Sequence, residues 1–436
     1  MRKLKMILIG VMALSLLASL SMANGLNLNS LGSKALAMGG AFVGLADDYS
    51  TIFWNPAGMG FFNTMNFGLY GAGIMPSGKY SLTVPILGEV VNTSSPSKLY
   101  PGGLAAFYYP ITENLVAGIG VFTPAGLGAS WTGEDVRFLN YPYLTKSYEW
   151  SSKIGMITIA PGVAYRIGDM ISVGATLNVN YAMFNISQWA SYITSPIVFD
   201  LGQYSEESSG WGLGATFGVL VKPADLISFG LTVKTPTTIA LKGTASISNL
   251  SLLGMPGESE VTRDLDWPLQ ISGGLALKPF PGLTFVADLQ WTQWSKLGNA
   301  DGDIENNYVD PIWHVFMSGP GKATIPLRWK DALQIRTGIE YMVTNTIAVR
   351  LGYMHDPAPS PLDTMNFLLP NYDFNTITGG VGIALGSLQF DLGLEYLMGG
   401  ERNIGYVESL TTLPHAQPGT YNMNILAFGL GMNYKF

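Results

Sequence analysis

The C-terminal residues alternate between apolar and small or polar side chains, and this period of two constrains the fold more than any other feature. In the last such stretch, one face carries Leu426, Phe428, Leu430, Met432, Tyr434 and Phe436, and the other carries Ala427, Gly429, Gly431, Asn433 and Lys435. Successive side chains of a β-strand point to opposite faces, so the pattern predicts a strand with one apolar face. The same alternation recurs in 171–181, 333–341, 347–353 and 388–396. The chain is therefore predicted to be all-β.

The polar faces of these strands distinguish a membrane barrel from a soluble sandwich. A sandwich can carry many Lys and Glu residues on its water-facing side, whereas here that face is mostly Gly, Ala, Ser, Thr and Asn. The apolar faces often end in Trp or Tyr, as at Tyr181, Trp291 and Tyr353, which is typical of the aromatic girdles of outer-membrane barrels. Only 12% of the residues are charged, against roughly 25% in soluble domains. We therefore predict a transmembrane antiparallel β-barrel.

The spacing of turns predicts about fourteen strands. Turn signals lie at 110–114, 167–169, 223–225, 279–282, 343–345 and 386–387, and long mixed segments lie at 76–99, 125–149, 190–209, 242–266, 297–329, 356–373 and 400–422. Short periplasmic turns that alternate with long outer loops produce this pattern. Backbone groups in a bilayer need internal partners, so the sheet must close. A barrel of this width is too wide for its own side chains to fill.

The first 62 residues do not follow the strand pattern. Residues 1–23 contain Arg2, Lys3 and Lys5, followed by an apolar run and a small-x-small cleavage pattern. This order predicts a signal peptide that is cut after Ala23. The alternative is a membrane anchor, but the run is shorter than the ~20 residues of a spanning helix. Residues 24–62 are rich in Gly, Ala and small polar side chains, and we expect them to plug the lumen. Residues 63–436 would then form the barrel and its long extracellular loops.

Several classes of function are disfavoured. The net charge of −7 offers no basic field for nucleic acid, and cysteine is absent. The three histidines are predicted in separate outer loops without metal-ligand spacing. The acidic segment 299–307 lacks the Gly at position six and the closing Glu of an EF-hand calcium loop. We expect no metal and no cofactor. A barrel enzyme would need a nucleophilic Ser placed by a His on the barrel face, and no His is predicted there, so we expect no enzyme.

Four motifs resemble those of a known family. They are ADDYSTIFWNPAG at 46–58, VFTPAGL at 121–127, DLQWTQWS at 288–295 and the terminal Phe436. On these motifs the chain resembles the FadL/TodX-type (OMPP1) outer-membrane transporters of long-chain fatty acids and other hydrophobic compounds. The resemblance implies passive uptake, with capture at outer loops, a pocket above an N-terminal hatch, and lateral exit near the third strand. Uptake of aromatic hydrocarbons is the main alternative, and a general porin or a barrel enzyme is a weaker one.

The resemblance also selects residues of the hatch and the wall. Asn55, Pro56 and Ala57 match the hatch motif; the alternative is a simple turn before the first strand. The third strand is predicted from about residue 115 to 122, and a gap in the wall is expected where its ladder is weakened. The residues expected at this lateral opening are Gly118, Gly120 and Pro124. The alternative is that the glycines face a crowded lumen.

Two outer loops are unusually apolar and are expected to form the capture groove, because exposed apolar patches mark binding surfaces. The groove candidates are Trp189, Tyr192, Ile193, Leu250, Leu252, Leu253 and Met255. Packing of one loop on another is the alternative. A fatty acid also needs a cation for its carboxylate, and the candidates are Arg336, Arg350 and Lys234, although such charges often pair across a lumen.

The expected surroundings follow from this interpretation. The protein would lie in the outer membrane of a Gram-negative bacterium, as a monomer in contact with outer-membrane lipid and lipopolysaccharide. Its partner would be a hydrophobic small molecule and not nucleic acid. The barrel assembly machinery would recognise the C-terminal Phe436.

Overall fold

The structure is a computed structural model that describes residues 25–436, apart from 97, 142, 195–196, 319–322 and 414. The predicted signal peptide, residues 1–23, lies outside the described residues. The strands are β1 Asn66–Val84, β2 Gly88–Ser94, β3 Tyr100–Pro110, β4 Leu115–Trp131, β5 Trp150–Ile167, β6 Ile171–Thr194, β7 Ile197–Ala224, β8 Ile227–Lys234, β9 Thr237–Ile247, β10 Glu258–Trp267, β11 Gln270–Phe280, β12 Leu283–Thr292, β13 Asp303–Tyr308, β14 Ala323–Pro326, β15 Ala332–Met342, β16 Ile347–Asp356, β17 Phe374–Leu385, β18 Leu388–Gly399, β19 Arg402–Ile404 and β20 Gly419–Lys435.

The helices are short. The α-helices are α1 Ser33–Ala37, α2 Thr51–Trp54, α3 Pro311–Ser318 and α4 Tyr406–Thr411. The 3-10 helices are Pro56–Phe61, Arg137–Asn140, Leu250–Leu253, Trp294–Lys296 and Leu362–Thr364. In the described part of the chain, none of the helices has the length and apolar character needed to cross a membrane.

The main strands form a closed antiparallel ring of fourteen, which confirms the predicted fold class. Two of the ring strands each consist of two segments. Strands β8 and β9 together form one ring strand, because both pair with β7. Strands β10 and β11 form the next one, because β10 pairs with β9 and β11 pairs with β8. The ring closes where β1 pairs with β20, with Phe67 opposite Tyr434. Beyond these ladders, β2, β13 and β19 pair with the ring strands β1, β10 and β20, and β14 pairs with β13.

The two faces of the wall are inverted relative to a soluble protein. Leu430 is 61% exposed on the outer face, whereas Ala427 is buried on the inner face of the same strand. Charged groups such as Arg336 and Glu395 are also buried inside the ring. Apolar side chains on the outside suit contact with lipid, as the alternation predicted.

The six predicted turns all join neighbouring strands, but the prediction of long loops was partly wrong. Segment 76–99 is largely a hairpin, because β1 continues to Val84 and pairs with β2. Segment 190–209 is also strand, since β6 runs to Thr194 and β7 begins at Ile197. The alternation weakens in these extensions, although their backbone ladder continues. His355, predicted in a loop, lies in β16, where its ring contacts Asn375 at 3.1 Å.

The interior contains separate apolar cores. One surrounds residues 25–62, called here the N-terminal segment, and includes Leu36, Phe42 and Trp54 together with wall residues. A second core joins the outer parts of the strands to the loops, and includes Trp131, Trp313 and Phe367. The two cores lie at different levels of the barrel, with cavities between them.

Candidate functional site

The predicted hatch motif lies at the floor of the site, fully buried against the wall. Asn55 donates from Nδ2 to the carbonyl oxygens of Val43 and Val219, both at 3.0 Å, and its Oδ1 accepts from the backbone N–H of Ala57 at 3.1 Å. One amide therefore ties together two parts of the N-terminal segment and strand β7. The Asn55 side chain also begins the 3-10 helix Pro56–Phe61 as its N-cap.

The wall carries glycines where it meets the N-terminal segment. An added Cβ at Gly218 would lie 2.2 Å from Asn55 Oδ1, and one at Gly230 would lie 2.0 Å from Val43 O. The wall glycines whose added Cβ would come within 3.4 Å of the segment are Gly68, Gly118, Gly120, Gly162, Gly174, Gly218, Gly230, Gly274, Gly338, Gly352, Gly380, Gly393 and Gly431. These glycines form a belt that allows close approach of the segment to the wall.

The two remaining ring strands reach the N-terminal segment by side chains. Tyr108 on β3 donates to the carbonyl oxygen of Tyr49 at 2.5 Å. Asp288 on β12 accepts the backbone N–H groups of Phe42 and Val43 at 2.6 and 2.7 Å. All fourteen ring strands thus contact the segment, which lies inside the ring.

A chain of ion pairs joins the segment to one side of the wall. Lys34 lies 3.0 Å from Asp47 and 3.6 Å from Glu340. Arg350 then donates to Glu340 at 2.7 Å and to Asp391 at 2.6 Å. Burial acts to lower the pKa of Lys34, but the carboxylates of Asp47 and Glu340 outweigh it and hold that pKa above its usual value. Since Arg350 is already bound by two carboxylates, it is a poor site for a ligand carboxylate.

Asp48 differs from its neighbour Asp47. Its Oδ1 accepts from the Ser50 backbone N–H and hydroxyl at 2.7 and 2.6 Å, and its Oδ2 has no hydrogen-bond partner among the described residues. Burial, with a smaller contribution from Asp47, raises the pKa of Asp48 to about 6. The pKa of Asp47 is instead held low, because Lys34 outweighs the effect of burial.

The first inner cavity lies directly above the N-terminal segment. It has a volume of about 70 Å³ and is lined by Ile52 and Phe53 from below and by Lys234 from the wall. The Lys234 Nζ lies 3.6 Å from the centroid of the Phe53 ring. Within the described residues, this ammonium has neither an ion pair nor a hydrogen bond. It is therefore the available cation of this cavity.

Arg336 lines the same cavity but is engaged by the N-terminal segment. Its guanidinium donates to the carbonyl oxygens of Asn29 at 2.6 Å and Gly40 at 3.3 Å, and to Gln334 at 2.9 Å. It also lies over the Trp54 ring, 5.2 Å from the centroid. Of the three predicted headgroup residues, Arg336 thus holds the segment in place, Arg350 is paired, and Lys234 faces the cavity.

A second inner cavity of about 110 Å³ adjoins the first. Asn27 and Leu28 line both cavities and so form the partition between them. The far side of the second cavity is made by Pro370, Asn371 and Tyr372 of the loop between β16 and β17.

The wall ladder is interrupted beside this partition. Strand β3 pairs with β4 only up to Leu104 opposite Phe122. Beyond that point the Thr123 hydroxyl accepts from the Gly103 N–H at 2.9 Å, and β4 pairs instead with the N-terminal segment. Leu28 N donates to Pro124 O at 2.9 Å. Because β4 changes partner here, the facing edge of β3 has no ladder partner among the described residues beyond Leu104.

The interruption corrects part of the predicted opening. Gly118 and Gly120 are paired on both sides, with β3 and with β5, and face the crowded lumen as the alternative stated. Pro124 does lie at the interruption. Two residues that the sequence reasoning missed are Thr123 and Leu28. The signal for Thr123 was its place directly before Pro124, because a proline cannot donate to a ladder.

Comparison with known proteins gives the identity of this architecture. The family model described as "Outer membrane protein transport protein (OMPP1/FadL/TodX)" matches residues 14–436. The chain belongs to this family. It is therefore an outer-membrane transport protein, and its family is one of transporters, not of enzymes.

Individual relatives of this family member are distant. It is 21% identical to "Outer membrane protein P1" of Haemophilus influenzae (strain ATCC 51907 / DSM 11121 / KW20 / Rd), over 92% of this chain and 93% of that one. A solved Pseudomonas aeruginosa FadL homologue superposes with a TM-score of 0.78 at 16% identity, over 95% of this chain and 100% of that one. The Pseudomonas putida toluene transporter TodX gives 0.75 at 16%, over 94% and 99%. These likenesses establish the shared fold.

The two predicted capture loops of this family member lie together. Trp189 is opposite Gln203 in the β6–β7 ladder, and Ser248 N donates to Gln203 O at 3.1 Å. Leu252 and Leu253 are 81% and 57% exposed, whereas Leu250 is buried in the core. Met255 is half-buried. The side chains of Tyr192 and Ile193 lie outside the described residues.

Asp200 holds these loops in place. Its carboxylate accepts from Lys146, from the Tyr148 hydroxyl at 2.7 Å, and from Trp189 Nε1 at 2.9 Å. Burial acts to raise the pKa of Asp200, but these hydrogen bonds outweigh it and hold that pKa below its ordinary value. Half-buried Trp189 is therefore held by a polar anchor within its own hairpin. In the described part of the chain, no group of three or more His, Cys, Asp or Glu residues is placed to bind a metal.

Proposed function

We propose that this protein carries hydrophobic compounds passively across the outer membrane, and that long-chain fatty acids are its main ligands. The observation that supports this is Lys234, an ammonium group without an ion pair among the described residues, in a cavity lined by aromatic rings such as Phe53 and by polar side chains such as Asn180. A buried carboxylate needs such a partner. Each CH₂ of the alkyl chain gains about 0.8 kcal/mol on leaving water, so an apolar pocket retains the chain.

In this proposal the N-terminal segment is the hatch, with residues 24–62 as the plug and 63–436 as the barrel. The exposed leucines Leu252 and Leu253, in the loop that adjoins the hairpin of Trp189, receive the ligand outside. Asn27 and Leu28 must move for a ligand to pass from the first inner cavity to the second.

Leu28 then controls the lateral exit. An added Cβ at Gly102 would lie 3.6 Å from one Leu28 methyl, and one at Gly126 would lie 3.8 Å from the other. The Leu28 side chain therefore stands between β3 and β4 where their ladder stops. Withdrawal of Leu28 would open a path through the wall, lined by glycines, into the membrane.

Whole-cell uptake of radiolabelled oleate tests the proposal. Deletion of Asn55–Ala57 is expected to impair uptake while the barrel still assembles, as judged by its heat-dependent shift on a gel. A variant that assembles and takes up oleate at the parent rate would refute the role of this motif. A parent protein that takes up no more oleate than control cells would refute the fatty acid proposal itself.

Aromatic hydrocarbons are a second candidate class, and the size of the inner cavities favours them. The two cavities measure about 70 and 110 Å³, and an apolar protein cavity of about 150 Å³ is known to bind benzene. A single ring therefore needs less rearrangement than a long chain does. Uptake of toluene, measured beside that of oleate, distinguishes the two classes.

The surroundings of the barrel are also part of the proposal. We infer that it works as a monomer in lipid and lipopolysaccharide, and that the barrel assembly machinery recognises Phe436, whose side chain is 55% exposed. Phe436 N donates to Met65 O at 3.0 Å, so the terminal residue is held at the seam of the ring. Slower assembly of a Phe436→Ala variant, and a monomer mass in detergent, are the expected results.

A further inference from the structure

The loop between β16 and β17 folds into the barrel instead of covering it. Residues 365–372, called here the lid, have the sequence MNFLLPNY and are buried except for the half-buried Asn366. A run this apolar within a predicted outer loop is the sequence signal for an inward fold. The lid lies in the outer core, above the cavities that adjoin the N-terminal segment.

Phe367 fixes the lid between three strands of the wall. Its ring stacks on Tyr80 of β1 with 5.2 Å between centroids, and lies 5.4 Å from Trp131 of β4 and 5.3 Å from Trp150 of β5. Phe367 is only 1% exposed. Aromatic pairs at these distances contribute about 0.5–1.5 kcal/mol each beyond the area they bury, so this residue is the main apolar attachment of the lid.

Hydrogen bonds hold the lid backbone at several points. Trp131 Nε1 donates to Phe367 O at 3.0 Å, and the Ser152 hydroxyl donates to Leu368 O. Gln417 N donates to Met365 O at 2.9 Å. These contacts come from side chains and from one neighbouring loop, not from a continuous strand ladder, so the lid can leave without unzipping the wall.

The lid separates two cavities. Asn366 to Leu369 line an outer cavity of about 410 Å³, whose other sides include Trp150, Ile186 and Ile325. Pro370 to Tyr372 line the second inner cavity. A molecule that moves from the outer to the inner cavity must therefore displace the lid.

The outer cavity accepts a neutral or apolar body better than an anion. Its acidic residue, Glu206, is bound by Arg263, whose Nη2 lies 2.5 Å from both carboxylate oxygens. Tyr204 also donates to Glu206 at 2.8 Å. Arg263 is thus neutralised by an acid and lies over the Phe184 ring, 4.3 Å from its centroid. Among its described lining residues the outer cavity has no arginine or lysine, and the ring of its His415 lies 3.2 Å from Arg328 Nη2.

We propose that the outer cavity is a separate binding site for the apolar part of the ligand, and that the lid is an internal gate between this site and the inner cavities. The inference rests on the proposed function, since it describes steps of the same uptake. It divides the path into two compartments that never open to each other while Phe367 occupies its aromatic site.

A reversible disulfide tests the gate. The chain has no cysteine, so Met365→Cys combined with Gln417→Cys introduces a single pair of cysteines. The backbones of these two residues are joined by a hydrogen bond. Uptake of labelled oleate and toluene by cells is expected to fall at least tenfold in the oxidised protein and to return on reduction. The control pair is Ser81→Cys with Asn92→Cys, which face each other in the β1–β2 ladder and should leave uptake unchanged.

A fully oxidised lid pair with the uptake rate of the parent would overturn the gate. Phe367→Ala supplies an independent measurement that needs no disulfide, since loss of the aromatic contacts is expected to speed uptake severalfold. An unchanged or slower rate in a correctly assembled Phe367→Ala protein would also count against the gate. Absence of uptake by the parent would instead refute the proposed function, so the two failures are distinguishable.

Discussion

The buried cation that lines the inner cavity and the buried cation near the outer cavity differ in their partners. Lys234 in the inner cavity has a ring beside it but no carboxylate among the described residues. Arg263 near the outer cavity is bound to Glu206, and both side chains are at most 1% exposed. A buried charge is tolerated when it is paired. The difference shows which cation is structural and which is available to a ligand.

The largest expected effect comes from breaking the outer ion pair. Glu206→Gln leaves the guanidinium of Arg263 buried without a full counter-charge, which should cost about 3–5 kcal/mol of unfolding free energy. Thermal unfolding in detergent, with hydrogen exchange of 258–267, measures this loss.

Glu260→Gln is the matched control for Glu206→Gln. Its partner Lys242 lies at 3.0 Å, but these side chains are 55% and 66% exposed, so the expected loss is under about 1 kcal/mol. Equal losses in the two variants would contradict the contrast between a buried and an exposed pair.

Removal of the inner cation should come next in size. Lys234→Met is expected to weaken oleate binding by roughly 10- to 150-fold, the equivalent of a charged hydrogen bond of about 1.5–3 kcal/mol. Toluene binding should stay unchanged, because toluene has no carboxylate. Titration of the purified protein with each ligand measures both.

Lys222→Met is the control for Lys234→Met. The Lys222 Nζ lies 3.7 Å from the Phe61 ring centroid, in the same kind of contact but outside the inner cavity lining. If both variants lose oleate affinity equally, the specific role of Lys234 is wrong.

The floor of the inner cavity is tested by a glycine of the belt. Gly218→Ala forces a methyl group against Asn55 and should cost about 1–3 kcal/mol, as overpacking does. Faster hydrogen exchange in residues 25–62 is the expected result. Gly273→Ala is the control, because its added Cβ has open space; matching exchange in the two variants would show that the close approach is unimportant.

The smallest effect concerns the pH response of the N-terminal segment. The pKa of Asp48, about 6 in the folded protein, lies above its ordinary value of 3.8. The folded segment therefore binds the proton more tightly than the unfolded chain, and its stability rises as the pH falls from 7 to 5, by about 1 kcal/mol. Exchange of residues 47–51, corrected for intrinsic rates, should slow at pH 5.

Asp48→Asn isolates this contribution from those of the other carboxyl groups. The part of the pH response that belongs to Asp48 should disappear in the variant. Asp47 does not titrate in this window, because Lys34 holds its pKa below the ordinary value. The same pH response in the parent and in Asp48→Asn would exclude Asp48 as its source.

Much of the wall could be predicted from local sequence. The alternation from Leu426 to Phe436 and the six turns identify a closed antiparallel barrel, because a strand in lipid must be apolar outside and fully paired. The composition of residues 24–62, together with the expected width of the barrel, led us to predict a plug there, and that role stays part of the proposal. What the alternation does not reveal is where a ladder continues beyond the membrane, as in β1 and β6.

The candidate site depended more on long-range contacts. Arg336, Arg350 and Lys234 are equivalent in sequence, as inward cations on strands. Their different environments arise because Asn29 and Phe53, far away in the chain, meet Arg336 and Lys234 in space. Arg350 is instead paired by Glu340 on the neighbouring strand and by Asp391. For the same reason Leu28 gave no signal of its contact with β4, since that contact joins residues about a hundred positions apart.

The sequence alone determined the class of fold, the membrane-facing surface and the family, because these depend on periodicity and on motifs carried by neighbouring residues. Only the tertiary structure decided which of the three inward cations has no ion pair among the described residues, where the wall ladder stops, and that the segment from Met365 to Tyr372 folds inward. Those features depend on which residues, distant in the chain, are buried next to each other. In a buried site, the free energy depends on whether each charge has a partner and on whether each position carries a side chain.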